Sequence, residues 1–510
     1  MTKYEITMLC AIIVYMGFTL FIGFRSSRQN KNVGDFYLGG RRLGPIVTAM
    51  SAEASDMSGW LLMGLPGVAY LSGICDAGWT AIGLALGTYI NWLLVAKRLR
   101  NYSAKIDAIT VPDFFSNRYR DRKHILLGIS AAIIVIFFIP YTASGFSACG
   151  KLFSSLFDIE YHAAMIVSAI VIIAYTSIGG FLAASKTDLI QSIVMSLALI
   201  IVLTYGIGSA GGLGSVIDNA KSFPGYLDMN ATYDAAAGAS NSYGFLSIVS
   251  TMAWGLGYFG MPHILLRFMA IDDSSKLKLS RRIASIWVVI SLAVATFIGV
   301  IGLAMTKAGS IESLSGADSE KVIVKIAHAL SDHGIPFAAI AGIILAGIFA
   351  STMSTADSQL LAASSSVSEN IIGKVFGIKI SEKAQMIIAR VTLVVIAVIG
   401  VFLAWNPDSS VFKIVSFAWA GFGATFGPVT LLALFWKRSN LWGALAGMVT
   451  GGAMVFIWKY VISTWGGAWA IYELLPAFIL ACVVNVVVSL ITPAPEKEIT
   501  EEFEAVKTME

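Results

Sequence analysis

The chain has 510 residues, of which 57% are hydrophobic (AVILMFWYC) and 13% charged, about half the charge of an ordinary soluble domain. With a mean hydropathy of +0.77 this excludes a soluble enzyme, a disordered chain and a nucleic-acid binder. The net charge is only +4, and the 4 Cys and 5 His form no CxxC and no metal-ligand spacing, so neither a disulfide nor a zinc framework is expected.

A bilayer core needs about 20 apolar residues per helix. The pattern predicts an all-α polytopic membrane protein with about thirteen spans, at 5–24, 45–71, 76–96, 125–150, 163–183, 188–210, 245–266, 283–306, 336–369, 389–405, 412–436, 441–462 and 474–492. The first keeps its base, Arg25, after the apolar run and lacks a small-residue cleavage site, so it reads as a span and not as a cleaved leader. With the N-terminus outside, 27 of the 35 Lys and Arg fall in inner segments and eight in outer ones. The positive-inside rule therefore predicts N-out and C-in. The expected unit is one transporter domain over 1–492, with core repeats at about 45–210 and 245–436. The remainder, 493–510, carries the acidic run EKEITEEFE and is expected to be a solvated cytoplasmic end.

Three spans are not uniform apolar helix. The second holds Ala-Glu-Ala-Ser-Asp-Met-Ser-Gly-Trp at 52–60, then Gly64, Pro66 and Gly67. The seventh holds Trp-Gly-Leu-Gly-Tyr-Phe-Gly-Met-Pro at 254–262. Broken helices survive at membrane depth only where they are buried or line a cavity. Paired Gly/Pro-interrupted spans in matching halves point to a transporter's binding site. Spans 2–6 and 7–11 each open on such a break, and five is odd, so the second run enters from the opposite face: a five-plus-five inverted repeat. In the ninth span Ser351, Ser354, Thr355 and Ser358 recur at i, i+3, i+4 and i+7 on one helical face. Such hydroxyls either bond within their own helix and to neighbours or serve a hard cation. Asp56, a carboxylate beside the break of the second span, favours the cation. Trp254, Tyr258 and Tyr141 offer π-faces that pack a compact ring and shelter a cation, and free backbone donors at a broken helix suit a carboxylate.

These residues resemble the sodium:solute symporter family, and its proline branch in particular. The similarity runs through FYLGGRRLGP from Phe36, ASDMSGWLLMGLPG (54–67), INWLLVAKRLR (90–100), TSIGGFLAASKTD (176–188), WGLGYFGMPHILLRFMA (254–270), MST (353–355) with QLL (359–361), and FWKRSNLWGALAGMVTGG (435–452). It implies coupled uptake of Na⁺ and L-proline across the bacterial inner membrane, with no organic cofactor and no protein partner. By that resemblance the carbonyls of Ala54, Met57 and Ser351 and the hydroxyls of Ser354 and Thr355 hold Na⁺, with Asp56 as the carboxylate on which sodium dependence rests. Ser58 and Gly59 lead towards the substrate, and Tyr141, Trp254, Tyr258 and Pro262 line its pocket. Arg41 matches an arginine of the cytoplasmic region. Asp188, Asp357 and Ser358 are expected to form a release path or a second cation site, unless Asp188 pairs with a base such as Lys186. Glu53 and Asp357 depart from the family's usual small or hydroxyl residues, which leaves the number of coupled cations open.

Two further readings stand beside this one: a symporter of the same family for another amino acid, a sugar or a vitamin, and a membrane sensor on the same scaffold. The 19 residues after Ile491 are too few for a signalling domain. No Ser/His/Asp, HExxH or Cys/His grouping supports a membrane enzyme, and broken helices in inverted repeats suit alternating access better than a channel.

Overall fold

The computed structural model describes residues 2–27, 33–378 and 381–509. Helices α1 (Lys3–Ser27) and α2 (Val33–Leu38) lead into α3 (Pro45–Asp56), which is followed by a π-wound turn (Trp60–Gly64) and α4 (Leu65–Ser72). Then come α5 (Ile74–Ile90), α6 (Ala96–Lys105), α7 (Val111–Arg118), α8 (Ile125–Phe157), α9 (Tyr161–Ser209) and α10 (Leu213–Lys221). A hairpin of β1 (Ala231–Asp234) and β2 (Ala239–Ser242) is antiparallel, with Ala231 opposite Ser242. The second half runs through α11 (Phe245–Met252), a tighter 3-10 segment (Ala253–Phe259), α12 (Pro262–Ala270), α13 (Leu277–Lys307), α14 (Val322–Ser331) and α15 (Ile335–Ser365). It closes with α16 (Glu382–Leu403), α17 (Val411–Phe435), α18 (Leu441–Ile457), α19 (Leu474–Ile491) and α20 (Lys497–Lys507).

Among the described residues, 10 helices are long and apolar enough to cross a membrane. Three shorter apolar helices, Trp60–Ser72, Tyr161–Ser177 and Phe245–Phe259, fall where the sequence predicts the second, fifth and seventh spans. Helix α9 contains two predicted spans. At 1.5 Å per residue its 49 residues would far exceed the ~30 Å apolar core. It folds back at Gly180, whose φ of 67° is left-handed. The fold-back brings the Tyr175 hydroxyl onto the Thr187 hydroxyl, 12 residues further on. Helices α3, α9, α12, α13 and α15 pack around the centre, and α17, α18 and α19 pack together beside it. The outward faces carry large exposed apolar side chains, such as Val14, Val167, Ile290, Phe402 and Ile491, the pattern a lipid-facing belt requires.

The acidic end differs from the expectation of a solvated tail. Residues 497–507 form an amphipathic helix, α20, whose Ile499, Phe503 and Val506 are buried. The Phe503 ring lies 4.8 Å from the Arg98 guanidinium and 5.5 Å from that of Arg118. Its acids reach bases of the neighbouring segments, Glu502 to Arg120, Glu496 to Arg122 and Glu504 to Lys437. The composition shows the charge of this run, but only the helical spacing of three apolar residues reveals the docking face.

Candidate functional site

The second span breaks because its hydrogen-bond ladder changes register after Asp56. Met57 leaves helical geometry (φ −76°, ψ 70°) while its N–H still reaches the Glu53 carbonyl at 2.8 Å. The next amide, Ser58 N–H, would bond Ala54 in a continuing helix but donates to the Asp56 carbonyl at 2.8 Å. Leu61 N–H, the natural partner of Met57, donates to Ser58 at 3.0 Å. The carbonyls of Ala54 and Met57 are thereby released from the helix. They lie at the C-terminal end of α3, where the aligned peptide dipoles favour positive charge. Gly59 sits where a Cβ would lie 2.9 Å from the Ala148 Cβ, so the break packs directly on α8.

Helix α15 faces this end. Ser354 Oγ donates to the released Ala54 carbonyl at 2.6 Å and to the Ser351 carbonyl at 3.0 Å, and Thr355 Oγ1 donates to Ser351 at 3.1 Å. These hydrogen bonds link Ala54, Ser351, Ser354 and Thr355, all buried. Asp56 is fully buried and, among the described residues, accepts one side-chain hydrogen bond, from the Tyr258 hydroxyl at 2.5 Å, while its Oδ1 has no partner there. The Asp56 carbonyl also accepts from Tyr141 (3.3 Å) and Trp60 Nε1 (3.1 Å). The two tyrosines of the predicted pocket therefore converge on Asp56 itself.

The seventh span breaks in the opposite sense. Its 3-10 segment ends at Gly260, and Pro262 starts α12, where a missing N–H costs nothing. Trp254 lies among aromatic rings, with centroids 5.1 Å from Phe412, 5.6 Å from Tyr472, 6.1 Å from Trp60 and 6.4 Å from Trp419. Gly255 lets the segment touch α5 backbone to backbone: a Cβ there would lie 2.2 Å from the Gly83 carbonyl oxygen. Pro262 is buried at the helix start, and its position gives it a backbone role at the break.

A cavity of about 970 Å³ opens from Trp254 towards the face that carries the β-hairpin, between Tyr472, Phe412, Asp76 and Glu320. The opposite, basic face is closed beneath the breaks. Leu43, before α3, pairs in a parallel bridge with Ile271, after α12, through bonds of 3.1 and 2.9 Å. Arg41 locks this closure. It donates to the carbonyls of Met269 (2.6 Å), Ala108 (2.7 Å) and Ser103 (3.1 Å). Burial, with Arg100 nearby, pulls its guanidinium down to about 10, which leaves it charged at neutral pH.

Asp188 does pair with a base, one of the two expectations for it, though the base is not Lys186. Its Oδ2 accepts from Ser51 (2.6 Å) and from Arg267 of α12 (3.3 Å), an ion pair that is fully buried. Asp188, Asp357 and Ser358 do not hydrogen-bond one another directly among the described residues. Arg267 donates to both Asp188 and Ser358, whereas Asp357 accepts from Thr176 of α9 and, among the described residues, keeps Oδ2 without a partner. Arg267 falls one residue beyond the predicted seventh span, 245–266, so the sequence reads as placing it in an inner segment, whereas the structure buries it beside the span. Trp60, Trp419 and Tyr472, which complete the aromatic enclosure, gave no signal beyond being aromatic. Glu53 is buried and accepts from Trp92 Nε1 at 2.9 Å. Among the described residues no group of three or more His, Cys, Asp or Glu could hold a metal ion.

Two antiparallel broken helices meeting at a buried polar centre, open to one face and closed to the other, define a membrane transporter with an inverted-repeat core. The sodium:solute symporter family model matches residues 36–451. The chain is 43% identical to the sodium/proline symporter of Escherichia coli over 97% of its own length and 95% of that protein's. It is 40% identical to the osmoregulated proline transporter OpuE of Bacillus subtilis, over 97% and 96% respectively. The chain belongs to the sodium:solute symporter family. Its fold matches that of a Na⁺-coupled sialic acid symporter with a TM-score of 0.77 at 17% identity, covering 96% of this chain and 99% of that one. Mhp1, a nucleobase-cation-symport-1 family transporter, matches with a TM-score of 0.53 at 12% identity, covering 92% and 98%.

Proposed function

We propose that the protein is a secondary active transporter, not an enzyme, that couples Na⁺ to L-proline and takes both up by alternating access. The observation that carries this reading is the release of the Ala54 and Met57 carbonyls opposite Ser351, Ser354 and Thr355, with Asp56 alongside. This is an all-oxygen cradle at a half-helix C-terminus, which suits Na⁺. The relatives at 40–43% identity are named as proline transporters, which supports proline as the co-substrate. Its carboxylate meets the amides following Ser58 and Gly59, and its ring and ammonium pack on Tyr141, Tyr258 and Trp254.

The chain crosses a bacterial inner membrane about thirteen times as one domain over 1–492, with the N-terminus outside. The hairpin face is then external and the basic face cytoplasmic, so the present arrangement faces outward. Residues 493–510 are a cytoplasmic end that docks instead of floating. Asp357, with one oxygen unpartnered, is the second cation or release position on the inner side. Asp188 and Ser358, both held by Arg267, form the gate beside it.

One Na⁺ entering down ~100 mV releases about 2.3 kcal/mol. A tenfold gradient adds about 1.4 kcal/mol. Together they sustain a proline ratio on the order of 500-fold at one-to-one coupling. The test is uptake of radiolabelled L-proline into proteoliposomes. We expect concentrative uptake with an inward Na⁺ gradient and none without it. Uptake of a sugar or vitamin instead would keep the family and remove the substrate. Single cysteines at Ser240 and Ser275 test orientation: an impermeant thiol reagent applied to intact cells should label position 240 and spare 275.

A further inference from the structure

The wall of the external cavity carries a second set of oxygens, remote in sequence from the cradle at Ala54–Met57. Asp76 lies in the first turn of α5, at the end of the helix dipole that favours negative charge. Among the described residues it makes no ion pair. Its Oδ1 accepts from the Tyr243 hydroxyl at 3.0 Å, which is also hydrogen-bonded to Thr251 of α11. Thr80 follows at i+4, on the same face of α5. It is 1% exposed and borders the same cavity, and among the described residues its Oγ1 has no hydrogen-bond partner. A buried hydroxyl without a partner is costly unless something fills the place. Asp76, Thr80, Tyr243 and Thr251 all line the cavity that ends on Trp254.

We propose that these four side chains form an outer staging site for a hard monovalent cation, Na⁺. The assignment rests on the Na⁺-coupled reading above but uses none of its ligands. One carboxylate supplies the charge and three hydroxyls supply neutral oxygens, a donor set with no nitrogen or sulfur. The site spans two elements, since Asp76 and Thr80 belong to α5 whereas Thr251 lies in the external half of the broken seventh span. A cation here tethers that half to α5 before substrate reaches Trp254. It also raises the local Na⁺ concentration in a cleft with low-dielectric walls, where field lines are focused.

The test is equilibrium binding of ²²Na⁺ to the purified full-length protein in detergent, without proline. It compares the wild type, Asp76→Asn, Thr80→Val, and Ser354→Ala with Thr355→Ala. We expect Asp76→Asn to remove one low-affinity class of bound Na⁺. Thr80→Val, close in shape, should weaken that same class about fivefold to tenfold and leave the other class in place. The Ser354/Thr355 variant should lose the other class and keep this one. Wild-type stoichiometry and affinity in both Asp76→Asn and Thr80→Val would overturn the staging site. Should Asp76→Asn fail to fold, Thr80→Val alone decides. Loss of Na⁺ in the Asp76 variant but none in the Ser354/Thr355 variant would uphold this site while the cradle at the second span fell.

Discussion

The two broken spans use the same backbone device for different chemistry. At the second, the ladder shifts register, two carbonyls are released, and the side chains nearby are acids and hydroxyls: Glu53, Asp56, Ser354, Thr355. At the seventh, the helix tightens and then restarts on Pro262, and the side chains are Trp254 and Tyr258, with no acid among residues 253–262. On the proposed reading one break serves a bare cation and the other the apolar and π surface of an organic solute. They meet where Tyr258 donates to Asp56 at 2.5 Å, a single bond between the two breaks. In the proposed function such a junction would make the two ligands favour the same conformations, which is what coupling requires.

The sharpest way to break this comparison is through the charge that the seventh span contributes below its break. Arg267 neutralises Asp188 in a fully buried pair. Arg267→Met leaves Asp188 buried without compensation, a loss of about 3–5 kcal/mol. The expected result is collapse of folded protein in detergent, seen by size-exclusion chromatography and thermal melting. Adding Asp188→Asn should restore most of it. If Arg267→Met melts like the wild type, Asp188 is not held by Arg267 and is free to serve a cation as Asp56 does.

The next largest effect separates cation from solute at the second break. Ser354→Ala with Thr355→Ala deletes two oxygens opposite Ala54, each worth about 1–2 kcal/mol. The Na⁺ concentration for half-maximal uptake should rise on the order of 100-fold. A shift under threefold would take α15 out of the cation site.

Trp254→Ala addresses the other side. Lost packing and cation shelter amount to about 2 kcal/mol, or roughly 30-fold in apparent proline affinity. Measured at saturating Na⁺, the shift should fall on proline and not on the Na⁺ requirement. A Na⁺-only effect would mean that the aromatic enclosure gates and does not bind.

Much of this arrangement is legible without coordinates because membrane depth penalises irregular backbone and charge so heavily. The Gly/Pro interruptions at 54–67 and 254–262 therefore mark the breaks, and the i, i+3, i+4 hydroxyls of α15 mark the face opposite Ala54. What stays hidden is partner choice across the bundle. Nothing local tells Asp188 to prefer Arg267, 79 residues away, over Lys186, because helix rotation and the fold-back at Gly180 decide it. The docking of α20 is hidden for a similar reason. Its acids read as solvated until Arg98 and Arg118 are seen beneath Phe503.

The smallest expected effect concerns Glu53, the acid that makes the second break richer in carboxylates than its counterpart. Its Oε1 accepts from Trp92 Nε1 at 2.9 Å, and among the described residues its Oε2 has no partner. Glutamine keeps a carbonyl oxygen for the indole and nearly the same volume, and it removes any charge. If Asp56 alone supplies the negative charge of the cradle, Glu53→Gln should shift the Na⁺ concentration for half-maximal uptake by less than about threefold, under 1 kcal/mol. Asp56→Asn, measured beside it, should shift it at least tenfold in the same direction. Glu53→Leu, which also deletes the indole's acceptor, should lower stability by about 1–3 kcal/mol through the orphaned Trp92 N–H. The informative outcome is a large shift in Glu53→Gln with normal melting. The second break would then need two carboxylates where its counterpart has none, and the cation load of the cradle would exceed one.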